Sequence, residues 1–294
     1  MHGITLPGPL VTVDWLTTVL QGLDVSASHL VILDASWHMP DSGRDAEAEW
    51  RAERIPGARF FDFDGRICDR DSPLPHMLPS AELFTSEMRR LGVDEDSVVV
   101  IYSGNGLLTS PRAWWMLQAM GHHRSAVLDG GLEAWKDAGH VVDDSEPEPV
   151  PPGNFTARLN REQVADHHEV LLASSGKTAC ILDARSADRF HGRVPEPRPG
   201  LRGGHMPGAI NLPFDRLVDS GYMRPVTEIR AILEPLLPTN TRIIATCGSG
   251  VTACVIAFAA RLAGHEDVAV YDGSWAEWGA DDEMPVVTTH EERA

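Results

Sequence analysis

The chain has 294 residues, 43% of them hydrophobic and 23% charged, with a net charge of −18. Such totals describe a globular protein long enough for two domains of about 150 residues each. The acidic balance argues against nucleic acid or an anionic membrane surface as partner, and an anionic substrate would need a local arginine cluster working against the overall field.

No run approaches the roughly eighteen apolar residues that suggest a membrane span. The opening residues lack the basic-then-apolar pattern of an export signal. The cysteines are Cys68, Cys180, Cys247 and Cys254; with no CxxC pair among them they read as neither a disulfide framework nor a zinc or dithiol centre. A cytoplasmic protein with reduced thiols, no metal and no cofactor is expected.

In chain order, the first apolar run is LVILDASWHMP (30–40), a buried-strand pattern closing on Leu-Asp-Ala. ERIPGARFFDFD (53–64) follows, then a proline-rich stretch around His76. VVVIYSGNGLLTSPRAWWMLQAMG (98–121) reads as a strand, a glycine-containing loop and a helix, and AVLDGGLEAW (126–135) as a strand leading into a helix. The segment DDSEPEPVPPGN (143–154) has the composition of a linker. Beyond it the same blocks return in the same order: ACILDARSADRF (179–190), GHMPGAINLPFD (204–215), RIIATCGSGVTACVIAFAARLAG (242–264) and AVYDGSWAEW (269–278). One domain is therefore written twice. The boundaries expected are a first domain over 1–142, a linker over 143–157 and a second domain over 158–294. Apolar runs alternating with helical patterns such as TEIRAILEPLL (227–237) predict an α/β fold, each domain a parallel sheet with helices on both faces.

In such sheets ligands gather beyond the carboxyl ends of the strands, which is where Cys247 falls. Gly248 and Gly250 let the backbone curl, so that the amides of Gly248, Ser249, Gly250, Val251 and Thr252 can converge on one point. A helix beginning near Thr252 adds the positive end of its dipole. A cradle of this kind stabilises a thiolate, which makes Cys247 a usable nucleophile. The plainer alternative is a buried cysteine at a strand end. A cysteine phosphatase would need an arginine at Cys-x5-Arg to grip the phosphate, and that position is Ala253. With no basic side chain in the loop, transfer of a sulfur atom through a Cys247 persulfide fits better.

CGSGVTAC, GHMPGAINLPF and YDGSWAEW together resemble the second half of the tandem rhodanese family of sulfurtransferases. Within it, the loop is similar to that of the branch that uses 3-mercaptopyruvate. The branch that uses thiosulfate carries basic residues where this chain has Gly248 and Ser249. The resemblance implies sulfur transfer to a thiol acceptor such as thioredoxin, or to cyanide, with release of pyruvate. It implies that Arg189 and Arg198, in the basic loop RSADRFHGRVPEPRPGLRGGH (185–205), bind the substrate carboxylate and ketone. It also implies a relay of Ser249, His76 and Asp64 beside Cys247, with Asp62 as the alternative partner because the spacing from Asp64 to His76 is one residue longer than the family's.

Of the other arginines in that loop, Arg185 is expected in a structural ion pair, and Arg193 and Arg202 in solvent. The competing view of the whole loop is a surface segment whose arginines pair with Glu196 and Asp188. The first half has no catalytic cysteine, and block matching sets Gly104 opposite Cys247. Cys254 and Cys180 are expected in the core and Cys68 in a polar loop. Asp272 and Trp275 are expected to pack behind the site, and the histidine pairs 122–123 and 167–168 to lie on the surface. Two rival functions stay open: thiosulfate as donor, and a non-catalytic rhodanese module that binds a partner.

Overall fold

The computed structural model describes residues 4–22, 29–176, 178–238 and 241–288. Two compact units divide the chain, one from residues 1–69, 78–159 and 220–223, the other from residues 70–77, 160–219 and 224–294. The segment carrying His76 thus groups with the second unit although it lies in the first half of the sequence.

The first unit contains β1 (Leu10–Val11), β2 (Leu30–Asp34), β3 (Arg59–Phe60), β4 (Val98–Tyr102) and β5 (Ser125–Leu128), in the sheet order β1-β5-β4-β2-β3. Every pairing in it is parallel. β4 is buried at all five positions, as expected of a central strand covered on both faces. Around this sheet lie α1 (Val13–Gly22), α2 (Ala46–Ala52), α3 (Ala81–Arg90), α4 (Ser110–Ala119) and α5 (Gly131–Asp137). Ile32, Val100, Tyr102 and Leu128 share a core with Leu16 of α1 and Trp135 of α5, while α4 packs against β4 and β5. Asp45 caps α2 by accepting the Ala48 amide at 3.0 Å, and Ser80 caps α3 through Leu83 at 3.2 Å.

The second unit repeats the plan with β6 (Val164–Ala165), β7 (Cys180–Asp183) and β8 (Ile210–Asn211). Two short strands, β9 (Val218–Asp219) and β10 (Tyr222–Met223), belong to neither large sheet. With β11 (Ile243–Thr246) and β12 (Val268–Tyr271), the second sheet runs β6-β12-β11-β7-β8, again all parallel. The helices are α6 (His167–Gly176), α7 (Ala187–Phe190), α8 (Val226–Leu233), α9 (Ala253–Ala263) and α10 (Ser274–Trp278). Ile181, Ile244, Ala269 and Tyr271 pack with Val170 of α6 and with Trp275 and Trp278 of α10. α9 lies against β11 and β12.

Equivalent hydrogen bonds align the two units residue by residue. Asp34 pairs with Tyr102 and Asp183 with Thr246 in register. The Ala35 amide meets the Tyr102 carbonyl at 2.8 Å, as Ala184 meets Thr246 at 2.8 Å. The residue opposite Cys247 is therefore Ser103, not Gly104 as block matching suggests; the loop from Ser103 to the α4 cap at Thr109 is one residue longer than that from Cys247 to Thr252. No helix among the described residues is long and apolar enough to cross a membrane.

Candidate active site

Cys247 follows the last residue of β11, at the carboxyl end of the central strand of its sheet, and is 2% exposed. The loop from Cys247 to Thr252 is tied down by its carbonyls. Cys247 accepts the Trp275 amide at 3.0 Å, and Gly248 accepts Ala276 at 2.9 Å, which fixes the loop to the start of α10. Ser274, held at φ +51, takes the Cys247 amide on its Oγ at 3.2 Å and donates to the Tyr271 carbonyl at 2.8 Å. The amides of Gly248, Ser249 and Val251 have no hydrogen-bond partner among the described residues. Buried amides are ordinarily paired, so this loop keeps donors in reserve beside a sulfur atom. Ser249 is buried next to them.

The two loop glycines serve different purposes. Gly250 has φ +79, a left-handed turn that suits glycine. Gly248 is glycine for room: a Cβ there would stand 2.8 Å from Nη2 of Arg189. The guanidinium of Arg189, near the end of α7, therefore lies on the backbone next to Cys247. Its Nε and Nη2 donate to Oε2 of Glu196 at 3.2 and 2.5 Å, and Nη1 has no partner among the described residues.

Glu196 is the residue that sequence reasoning undervalued. Its side chain is 1% exposed and also binds Nη1 of Arg185 at 2.9 Å. Arg185 in turn donates to Asp183 at 2.7 Å and to the Gly204 carbonyl at 2.9 Å, with its guanidinium 4.2 Å from the Trp275 ring centroid. Burial alone would pull Arg185 down, but the carboxylates of Asp183 and Glu196 outweigh it and hold the guanidinium above its ordinary value. The expected ion pair at Arg185 is thus present. The pairings of the competing view are present too, with Arg193 at 3.4 Å from Asp188, but Glu196 is buried beneath the loop rather than exposed on it.

Arg198 Nη2 lies 3.3 Å from Nε2 of His76, both inside the second unit. His76 is buried and sits at φ +61, a conformation that L-residues rarely take and that costs about 1 kcal/mol or more. Asp64 belongs to the first unit, where its Oδ2 accepts Nε1 of Trp37 at 2.9 Å. Asp62 turns its Oδ1 to the Gly65 amide at 2.7 Å, closing a local turn.

Several secondary expectations change. Arg202 is not solvated: it donates to the carbonyls of Gly279, Met284, Trp278 and Asp281, fastening the segment after α10. Cys68 is buried, its Sγ 2.9 Å from the Asp64 carbonyl. His122 is buried against Phe155, with ring centroids 5.1 Å apart. Cys180 and Cys254 are buried as expected; burial pushes the Cys180 thiol up to about 11. Trp275 is fully buried behind the loop.

The rhodanese-like domain model matches residues 18–138 and again residues 166–281. A 3-mercaptopyruvate sulfurtransferase of Rattus norvegicus is 42% identical over 92% of this chain and 91% of its own length. A thiosulfate sulfurtransferase of Gallus gallus is 41% identical over 92% of each. Among solved structures, SseA from Escherichia coli, described as a 3-mercaptopyruvate sulfotransferase, superposes with a TM-score of 0.81 at 38% identity, over 91% of this chain and 98% of that one. With two matched domains and relatives of this identity along nearly its whole length, the chain belongs to the rhodanese family.

Proposed function

We propose that this chain, a rhodanese-family sulfurtransferase, takes sulfur from 3-mercaptopyruvate through Cys247. The supporting observation is the loop itself: amides at Gly248, Ser249 and Val251 without a partner among the described residues, no basic side chain among them, and the Arg189 guanidinium against Gly248. Arg189, with Nη1 uncommitted, and Arg198 hold the carboxylate and ketone. The Cys247 thiolate attacks the substrate sulfur, an S–S bond forms, and the C–S pair of electrons leaves on carbon as the pyruvate enolate. The thiol proton goes to that carbon, helped by Ser249 and His76. The loop amides stabilise the anionic Cys247 persulfide. A thiol acceptor such as thioredoxin, or cyanide, then takes the outer sulfur and returns the thiolate. A cytoplasmic setting suits four cysteines that are all free.

Thiosulfate is the second reading, because a relative named for that donor is 41% identical. Measuring kcat/KM for both donors decides between them. The loop chemistry requires a preference for 3-mercaptopyruvate, read as pyruvate release in the presence of a reductant; a large preference for thiosulfate would overturn it.

A further inference from the structure

Far from any sulfur chemistry in sequence, the first unit contains a cavity of about 820 Å³, within the range of small-molecule sites. Edge strand β3, the end of α3, helix α2 and the linker residues Ser145–Val150 line it. Its apolar wall includes Phe60, Ala58, Leu91, Pro147 and Val150.

Five arginines line it as well, and their partners sort them. Arg54 is committed to Asp143 at 2.8 Å and to the Ser145 carbonyl. Arg51 reaches Glu47 at 2.9 Å and Glu146 at 3.5 Å. Asp62 is used by its own turn. Arg90 shares Glu87 at 2.8 Å. Arg66 has no ion-pair partner among the described residues, and Glu148 is the one lining carboxylate without a bond there.

Arg59 is the unusual member. Its Nη1 donates to the Leu91 carbonyl, and a Cβ on Gly92 would touch that same nitrogen. Its Nε is buried with no hydrogen-bond partner among the described residues. Burial pulls the guanidinium below its ordinary value, with only the Asp94 carboxylate opposing. Arg59 thus sets a half-buried cation in the wall of a ligand-sized cavity.

We propose that this cavity binds a small amphipathic oxyanion, its charged group on Arg59 and Arg66 and its apolar body against Phe60, Leu91 and Val150. The net charge of −18 means that such an anion is held by these local groups and not by the overall field.

Calorimetric titration of the full chain with naphthalene-2-sulfonate tests it, with 2-naphthol as the neutral counterpart and inorganic sulfate as the bare anion. One saturable site is expected, weakened at least tenfold in Arg66→Ala and in Arg59→Gln. 2-Naphthol and sulfate should each bind at least tenfold more weakly than the sulfonate. Arg66→Ala alters an exposed side chain and should leave sulfur transfer unchanged, so it remains decisive if Arg59→Gln fails to fold. Absence of saturable binding, equal binding by 2-naphthol or by sulfate, or binding that Arg66→Ala leaves intact would each overturn the proposal.

Discussion

The loop after β11 and the loop after β4 occupy the same place in two copies of one sheet, yet they treat the strand-end residue and the amide next to it differently. In the first unit Ser103 Oγ donates to the Gly106 carbonyl of its own loop at 2.6 Å, and the Gly104 amide is taken by Ser36 Oγ at 2.8 Å. In the second, Cys247 replaces Ser103, the Gly248 amide has no partner among the described residues, and the place of Ser36 is filled by Arg185, drawn away to Asp183 and Glu196. A third exchange sets Ser274 where the first unit has Gly131: the Leu132 amide meets the Ser103 carbonyl at 3.2 Å just as Trp275 meets Cys247. The frame is shared, and the exchanges at three positions decide whether the amide after the strand-end residue is taken by a side chain or left for a ligand.

Converting the second loop toward the first breaks the contrast most sharply at the sulfur. Cys247→Ser installs the residue of the first unit and should lower pyruvate release from 3-mercaptopyruvate by a thousandfold or more, about 4 kcal/mol in barrier. Thermal unfolding should shift little, because the change is small and the loop is held by its carbonyls. Undiminished turnover would end the assignment of Cys247.

Arg185→Ser copies the Ser36 position. A serine can satisfy Asp183 as Ser36 satisfies Asp34, whose Oδ1 accepts both its amide and its hydroxyl. Glu196 keeps Arg189 but loses its second cation, and Trp275 loses the guanidinium over its ring. Removing one member of a buried ion-pair group costs about 3–5 kcal/mol, and the serine rescue sets the expectation near the lower figure, about 3. Urea unfolding measures it, and a loss under about 1 kcal/mol would show that the network does not hold the loop.

Much of this contrast was legible in the sequence, because the repeated Leu-Asp-Ala, Pro-Gly-Ala and Asp-Gly blocks carry strand ends and turns. The Cys247 loop stood out by its glycines. What the residues hid is long-range. Gly248 looks like a turn glycine, but the guanidinium of a residue 59 positions earlier explains it. Ser103 was misaligned by one because the longer first loop leaves the gap unplaced, and only the hydrogen bonds at the strand ends locate it. Arg202 fastens carbonyls some eighty residues away, and neither charge nor periodicity announces such a contact. His122 sits among polar neighbours in sequence and is buried against Phe155, thirty-three residues further on.

The Asp34 position sharpens the comparison from the other side, because it has Ser36 where Asp183 has an arginine. Burial raises Asp34 from 3.8 to about 6, against hydrogen bonds from Ser36 and Tyr102 that lower it. A carboxyl raised in the folded state stabilises most when protonated in both states; that contribution falls away as pH rises through the unfolded value toward the folded one. A rise of this size is worth about 3 kcal/mol in all, of which roughly half is lost between pH 5 and pH 8. Asp34→Asn keeps an acceptor for Ser36 and removes the titration. Its stability relative to the parent should therefore improve by about 1 kcal/mol from pH 5 to pH 8 in urea unfolding. A difference independent of pH would mean that Asp34 does not titrate in that window.

Ser274→Gly is the subtlest exchange, because a gain in the backbone offsets part of a loss in hydrogen bonding. The substitution copies Gly131 and relieves a non-glycine residue at φ +51, a gain of about 1 kcal/mol. It also strips the Cys247 amide of its acceptor and removes the Ser274 donor to Tyr271, two hydrogen bonds at about 1 kcal/mol each, about 2 kcal/mol in all. Stability should then fall by about 1 kcal/mol. Turnover has no such compensation, since the bond at Cys247 positions the backbone that carries the sulfur, and misplacement at a reacting atom is expensive. A several-fold fall in kcat with KM for 3-mercaptopyruvate unchanged is expected, because Arg189 and Arg198 are untouched. If KM rises while kcat holds, Ser274 shapes the binding of substrate and not the placement of the nucleophile.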